Sequence, residues 1–152
     1  MPGIIVGIDG SEHARRALEF AIREAAVRQA PLTVLTVWRT VVNYHGAPVS
    51  HPQDGTLAEQ ANRGAQDAVD KALAAIGGDR QVSVTVQVIS GIPAAELVSA
   101  SRDADLLIVG SRGTGGFSRL LLGSVTAQVV HHAHCPVVVV PDEDRHGRAS
   151  SI

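Results

Sequence analysis

The sequence predicts an α/β fold, a single open doubly wound parallel sheet of five strands with helices on both faces. Three observations carry that prediction. Short, near-continuous apolar runs rich in β-branched residues recur along the chain, the pattern of strands buried on both faces. Between them lie segments whose apolar residues repeat at helical spacing. Strands that alternate with helices form a parallel sheet, and right-handed crossovers then wind the helices onto both of its faces. The 152 residues are 45% hydrophobic and 18% charged, enough for one domain with a real core. Residues 1–141 are expected to form that domain, and the polar, charged residues 142–152 a disordered tail.

Gly3-Ile4-Ile5-Val6-Gly7-Ile8 reads as the first strand, broken by Asp9-Gly10-Ser11. Ala14, Ala17, Leu18, Ala21, Ile22 and Ala25 then mark one stripe of a helix, with Ser11 placed to cap it and Pro31 to end it. Leu32-Thr33-Val34-Leu35-Thr36-Val37-Trp38 is the second strand. Residues 39–56 hold Gly46, Pro48, Pro52 and Gly55 without a period and read as a long surface loop. A second helix carries Leu57, Ala61, Ala65, Ala68, Val69, Ala72, Leu73 and Ile76 and stops at Gly77-Gly78. Val82, Val84, Val86 and Val88 alternate with polar residues, as in a half-exposed strand near a sheet edge. Pro93 starts a short helix through Ser101. Asp105-Leu106-Leu107-Ile108-Val109 is the fourth strand, a helix runs from near Ser124 to about His132, and Pro136-Val137-Val138-Val139-Val140 is the fifth strand.

Composition removes several function classes. Cys135 is the only cysteine, so an internal disulfide is impossible and a cytoplasmic location is the simplest fit. A formal charge of −2 lacks the basic excess of a nucleic-acid-binding domain, and no apolar run reaches the roughly 18 residues that a membrane span needs. The N-terminus has no basic region ahead of its apolar stretch, so no signal peptide is expected.

The chemistry concentrates beyond the carboxyl ends of the strands, where open α/β sheets bind ligands. One loop there is Asp9-Gly10-Ser11. The other is Gly110-Ser111-Arg112-Gly113-Thr114-Gly115-Gly116-Phe117, closed by Gly123-Ser124-Val125-Thr126 at a helix start. Glycines let a phosphate approach the backbone, and the helix start offers unpaired N–H donors at a positive dipole end. Ser124 and Thr126 add hydroxyls, and Arg112 and Arg119 add charge. The Gly-Lys-Ser/Thr of a P-loop is missing: Lys71, the only lysine, sits on a predicted helix far away in sequence. Its absence favours holding a nucleotide over splitting it.

Gly110-x-x-Gly113, nine residues, then Gly123-Ser124 resembles the nucleotide motif of the universal stress protein family. The likeness continues through His134-Cys135-Pro136-Val137-Val138-Val139-Val140, and Ile5-Val6-Gly7-Ile8-Asp9-Gly10-Ser11 is similar to the family's opening segment. The resemblance implies the strand order 3-2-1-4-5 and ATP, AMP, ADP or cyclic AMP as ligand. It implies phosphates on Gly113, Gly123, Ser124, Val125 and Thr126, ribose near Asp9 and Gly110, and adenine against Val37. It further implies that Ile8 and Gly10 face the nucleotide and that magnesium bridges the phosphates, while Arg112 joins the candidate site residues by its charge alone. A homodimer through the last strand is also implied. Together these imply a stress-response protein acting as a ligand-dependent regulator, without catalytic residues. Two other readings stay open beside it. One is a slow ATPase or nucleotidyl-transfer enzyme with Asp9 on magnesium, and one a nucleotide-free scaffold. His131, His132, His134 and Cys135 surround the end of the last helix, but no metal site is expected of them, since metal binding needs convergent geometry and usually a further ligand.

Overall fold

The computed structural model describes residues 3–39, 54–77, 81–111 and 122–141. Nine elements follow one another: β1 (Ile4–Ile8), α1 (Glu12–Arg28), β2 (Leu32–Arg39), α2 (Asp54–Ile76), β3 (Val84–Gly91), α3 (Pro93–Ser101), β4 (Leu106–Gly110), α4 (Ser124–His132) and β5 (Val137–Val140). The five strands form one parallel sheet in the order β3-β2-β1-β4-β5.

The two faces follow from strand alternation, which sends successive side chains to opposite sides. Ile4, Val6 and Ile8 of β1, with Leu106 and Ile108 of β4, pack beneath Ala17, Leu18, Ala21 and Ile22 of α1 and Ala65, Val69 and Ala72 of α2. Leu35 of β2 and Leu107 and Val109 of β4 turn to the other face, against Leu97 of α3 and Val129 of α4. Gly7 is small for a packing reason: a Cβ there would lie 2.8 Å from Leu97 Cδ2, which is buried in that second layer.

Four sequence expectations are corrected. The loop placed at 39–56 is shorter at both ends, since Arg39 closes β2 and Asp54 already opens α2. Residues 40–53 and the tail at 142–152 lie outside the described residues. Leu57 and Leu73 were placed on the buried stripe of α2 but are 44% and 39% exposed. The stripe actually buried is Ala65, Val69 and Ala72, and one residue further is a rotation of about 100°, which carries Leu73 off it. Helix α1 ends ahead of Pro31, because Gln29 adopts the left-handed conformation (φ 54°) and turns its N–H back to Ala25 and Ala26. Ser11 stands at the N-cap of α1 in extended conformation, but its side chain makes no cap bond.

One buried serine ties the end of α3 to the connection between α4 and β5. Ser101 is fully buried, donates its hydroxyl to the Val98 carbonyl at 2.6 Å, and accepts the His134 N–H at 2.9 Å. Ser101→Ala strands that N–H. The expected cost is about 1–3 kcal/mol, read as a fall of about 2–12 °C in the thermal unfolding midpoint. Among the described residues no helix is long and apolar enough to cross a membrane.

Candidate functional site

Strand order reverses between β1 and β4. The chain leaves β1 toward the α1/α2 face and leaves β4 toward the α3/α4 face, which opens a crevice at their carboxyl ends. β1 and β4 are direct neighbours, with Val6 opposite Ile108, so Asp9 and Ser111 both follow closely on paired positions.

On the β1 side, Gly10 holds φ 81°, a conformation that side chains rarely adopt, and it lets the chain turn from β1 into α1. Asp9 is exposed, and its Oδ1 accepts both the Ser11 N–H at 3.0 Å and the Ser11 hydroxyl. The serine hydroxyl donates backward to a carboxylate, and its oxygen accepts no first-turn N–H, so the cap expected of it is not made. Ile8 is buried on the α1/α2 face and brings only its main chain to the crevice. Val37, opposite Ile89 of β3, is half-buried and packs into the α3/α4 layer at the end of β2.

On the β4 side, two hydrogen bonds fasten α4 to the end of the strand, and a third ties that end to β5. Ser111 continues the ladder with its N–H to the Val140 carbonyl at 2.9 Å, and its own carbonyl accepts the Gly123 N–H at 2.7 Å. The Thr126 hydroxyl donates to the Gly110 carbonyl at 2.7 Å. The hydroxyl expected to meet a ligand is therefore spent inside the protein, because Thr126 lies on the buried side of α4 and not on the open one. Its main-chain N–H still belongs to the first turn. Thr126→Val keeps the shape and removes the bond. It should lower stability by about 1–2 kcal/mol, while Thr126→Ser holds the wild-type urea midpoint more closely.

The start of α4 offers main-chain N–H donors that have no helical partner. Gly123 is its N-cap, extended at φ −70° and ψ 165°, and has no side chain to offer. The first intrahelical bond is Ala127 N–H to the Gly123 carbonyl at 2.9 Å, so the N–H groups of Ser124, Val125 and Thr126 precede the helical ladder. No acidic residue stands in this first turn, and Ser124 is exposed. The structure thus brings Asp9, Gly10, Gly110, Gly123, Ser124, Val125 and Thr126 to the carboxyl end of the sheet around the reversal, with Val37 one strand further out. Arg112, Gly113 and Arg119 lie outside the described residues. One residue was missed. Ser111 is 2% exposed, and its hydroxyl has no hydrogen-bond partner among the described residues. Counting the strand alternation two residues past Val109 would have marked it as facing inward.

The opposite end of α4 has different chemistry. His131 and His132 meet edge to face at 5.0 Å, and His134 is exposed. Among the described residues no three His, Cys, Asp or Glu side chains gather as a metal site would require. Partial burial pushes the Cys135 thiol up from its ordinary value. A hydrogen bond from the Leu107 backbone opposes that shift, and the Asp105 charge adds to it.

Comparison with known proteins places this geometry. The model of the universal stress protein family matches residues 2–141. The chain belongs to the universal stress protein family. A universal stress protein of Mycobacterium tuberculosis is 36% identical over 147 residues, which cover 93% of this chain and 48% of that protein. This universal stress protein chain thus spans about half the length of the curated relatives it matches. Among solved structures, the universal stress protein UspA from Lactobacillus plantarum superposes with a TM-score of 0.73 at 27% identity, covering 91% of this chain and 97% of that one. A universal stress protein in complex with cAMP superposes with a TM-score of 0.65 at 26% identity, covering 92% and 96%.

Proposed function

We infer that this universal stress protein is an adenine-nucleotide-binding, ligand-dependent regulator rather than a dedicated enzyme. The observation that carries the reading is the first turn of α4. Its Ser124, Val125 and Thr126 N–H groups stand at the strand-order reversal, fastened to β4 through Ser111 and Thr126. A phosphate there meets N–H donors and the positive end of the helix dipole. Asp9, with Gly10 giving it an open turn, is the acceptor for ribose hydroxyls, and Val37 with the strand ends supplies an apolar edge for the base. Arg112 and Gly113 complete the phosphate side in this reading. The family member solved with cAMP supports adenine nucleotides as the ligand class, which includes ATP, ADP and AMP. Magnesium would be held chiefly by the oxygens of the phosphates it bridges.

Regulation fits better than hydrolysis. Lys71, the only lysine, is exposed on α2, in the layer opposite α4. We place the protein in the cytoplasm as a homodimer that pairs through β5, the sheet edge beside β4. Isothermal titration with ATP, AMP and cyclic AMP tests the binding reading. Dissociation constants in the micromolar to low-millimolar range are expected, and no heat of binding for any of them at millimolar concentration would overturn it.

A further inference from the structure

We propose that the outer edge of β3 is an interface between copies of this chain, in which two β3 strands pair antiparallel about a two-fold axis. This edge is the opposite end of the sheet from β5, and the proposal does not depend on nucleotide binding. β3 pairs with β2 alone, in unbroken register from Val84 to Gly91. That register fixes which main-chain groups are spent. Leu32 stands opposite Val84 and donates its N–H to the Ser83 carbonyl at 2.9 Å, so the odd-numbered residues of β3 turn their N–H and C=O toward β2. Val84, Val86 and Val88 turn theirs outward, and no main-chain bond takes them up among the described residues. Edge strands are commonly guarded by charge, proline, a bulge or shortness. Residues 82–92 hold no charge and no proline, and β3 has 8 residues where β5 has 4.

A second copy fits this edge better than a lone peptide does. Two copies related by a two-fold axis offer each other the same residues. With the axis at Gln87, Val86 of each copy exchanges both outward main-chain bonds with Val88 of the other. Gln87 then faces its own counterpart in a non-hydrogen-bonded pair, where side chains come closest. Thr85 and Gln87 are exposed and neutral, so no like charges meet. Past β3 the chain stays extended at Ile92 (φ −99°, ψ 118°), which is 68% exposed and falls opposite Val82 of the other copy in this register. The helix above the edge supplies an independent observation. α1 lies over β1 and β4, and α2 beside it over β2 and β3, so the far flank of α2 borders the β3 edge. The exposed Leu57 and Leu73 are equally spaced before and after the buried Ala65, which sets them about 80° to either side of it. One of the two therefore lies on that far flank. A second copy brings a strand to the valines and a second α2 to this leucine, whereas a peptide brings only the strand.

The test is sedimentation of wild type, Gln87→Lys, Gln87→Glu and an equimolar mixture of the two variants. Either variant alone sets like charges against each other at the axis and should weaken association at least about tenfold. The mixture sets opposite charges there and should recover the wild-type mass. Gln87 is exposed, so circular dichroism should show the same fold in all samples. Hydrogen exchange gives a reading without mutation: the amides of Val84, Val86 and Val88 should slow as wild-type concentration rises. Where β5 also pairs, as proposed above, Gln87→Lys reduces a larger assembly to a dimer; where β5 does not, it reduces a dimer to a monomer. Either loss supports the β3 interface. A mass that Gln87→Lys leaves unchanged would overturn it, and a dimer that persists in that variant would leave the β5 edge standing alone. A monomeric wild type, a mixture no larger than its separate variants, or exchange at the three valines independent of concentration would also overturn it.

Discussion

Gly123→Asp is expected to leave the fold intact and to weaken nucleotide binding more than about a hundredfold, the loss of two hydrogen bonds to charged phosphate oxygens at about 1.5–3 kcal/mol each. Gly123 has extended dihedrals that any residue adopts, and it stands at the N-cap of α4. Aspartate is among the best residues for that position, better than glycine by only a few tenths of a kcal/mol, so the unfolding midpoint should hold or rise slightly. Its carboxylate would accept the first-turn N–H groups and occupy the place of the phosphate. It would also set a negative charge against any incoming anion. Gly123→Ser separates the two effects, because serine caps without charge and should cost less affinity. Titration with ATP alongside circular dichroism melting reads both quantities. A variant that melts as wild type and still binds ATP normally would show that the start of α4 is not the phosphate site.

Much of this architecture was legible because its punctuation is chemical. Pro93 fits only the first turn of a helix, and α3 begins on it and ends at Ser101 as the spacing predicts. The α4 bounds, Ser124–His132, also match, since Gly123 marks the start and the chain must straighten before Pro136. The edge position of β3 could be read from its alternating valines, and the order of the other strands from the resemblance. Hydroxyl direction was not legible. Ser11, Ser111 and Thr126 all sit in the right loops, yet Ser11 bonds back to Asp9, Thr126 turns inward to Gly110, and Ser111 is buried without a partner among the described residues. A hydroxyl takes whichever acceptor the fold brings within reach. For Thr126 that acceptor lies 16 residues away, across a contact that local pattern does not reveal. The end of α1 was obscure for a similar reason: Gln29 takes a left-handed turn that composition would assign to glycine.

Ile108→Ala should give the largest loss of stability. Ile108 is 0% exposed in the central part of the sheet, paired with Val6 of β1 on one side and Val138 of β5 on the other. Its side chain belongs to the layer beneath α1 and α2, so truncation leaves a cavity that two strands and two helices cannot easily close. The expected cost is about 2–5 kcal/mol, against a total of about 5–15 kcal/mol for a typical domain. The thermal midpoint should fall by about 4–20 °C. Binding should respond differently. Ile108 faces away from the α3/α4 layer, so the crevice of the folded molecules is unchanged and their ATP affinity should match wild type. Ligand that binds only the folded state adds about 2.7 kcal/mol at a hundred times its dissociation constant. ATP should therefore restore a large part of the midpoint lost in Ile108→Ala, and raise that of Gly123→Asp hardly at all. Opposite responses of the two variants to the same nucleotide would separate the residues that hold the fold from those that hold the ligand. Rescue of Gly123→Asp to the same degree would place the bound phosphate elsewhere on the protein.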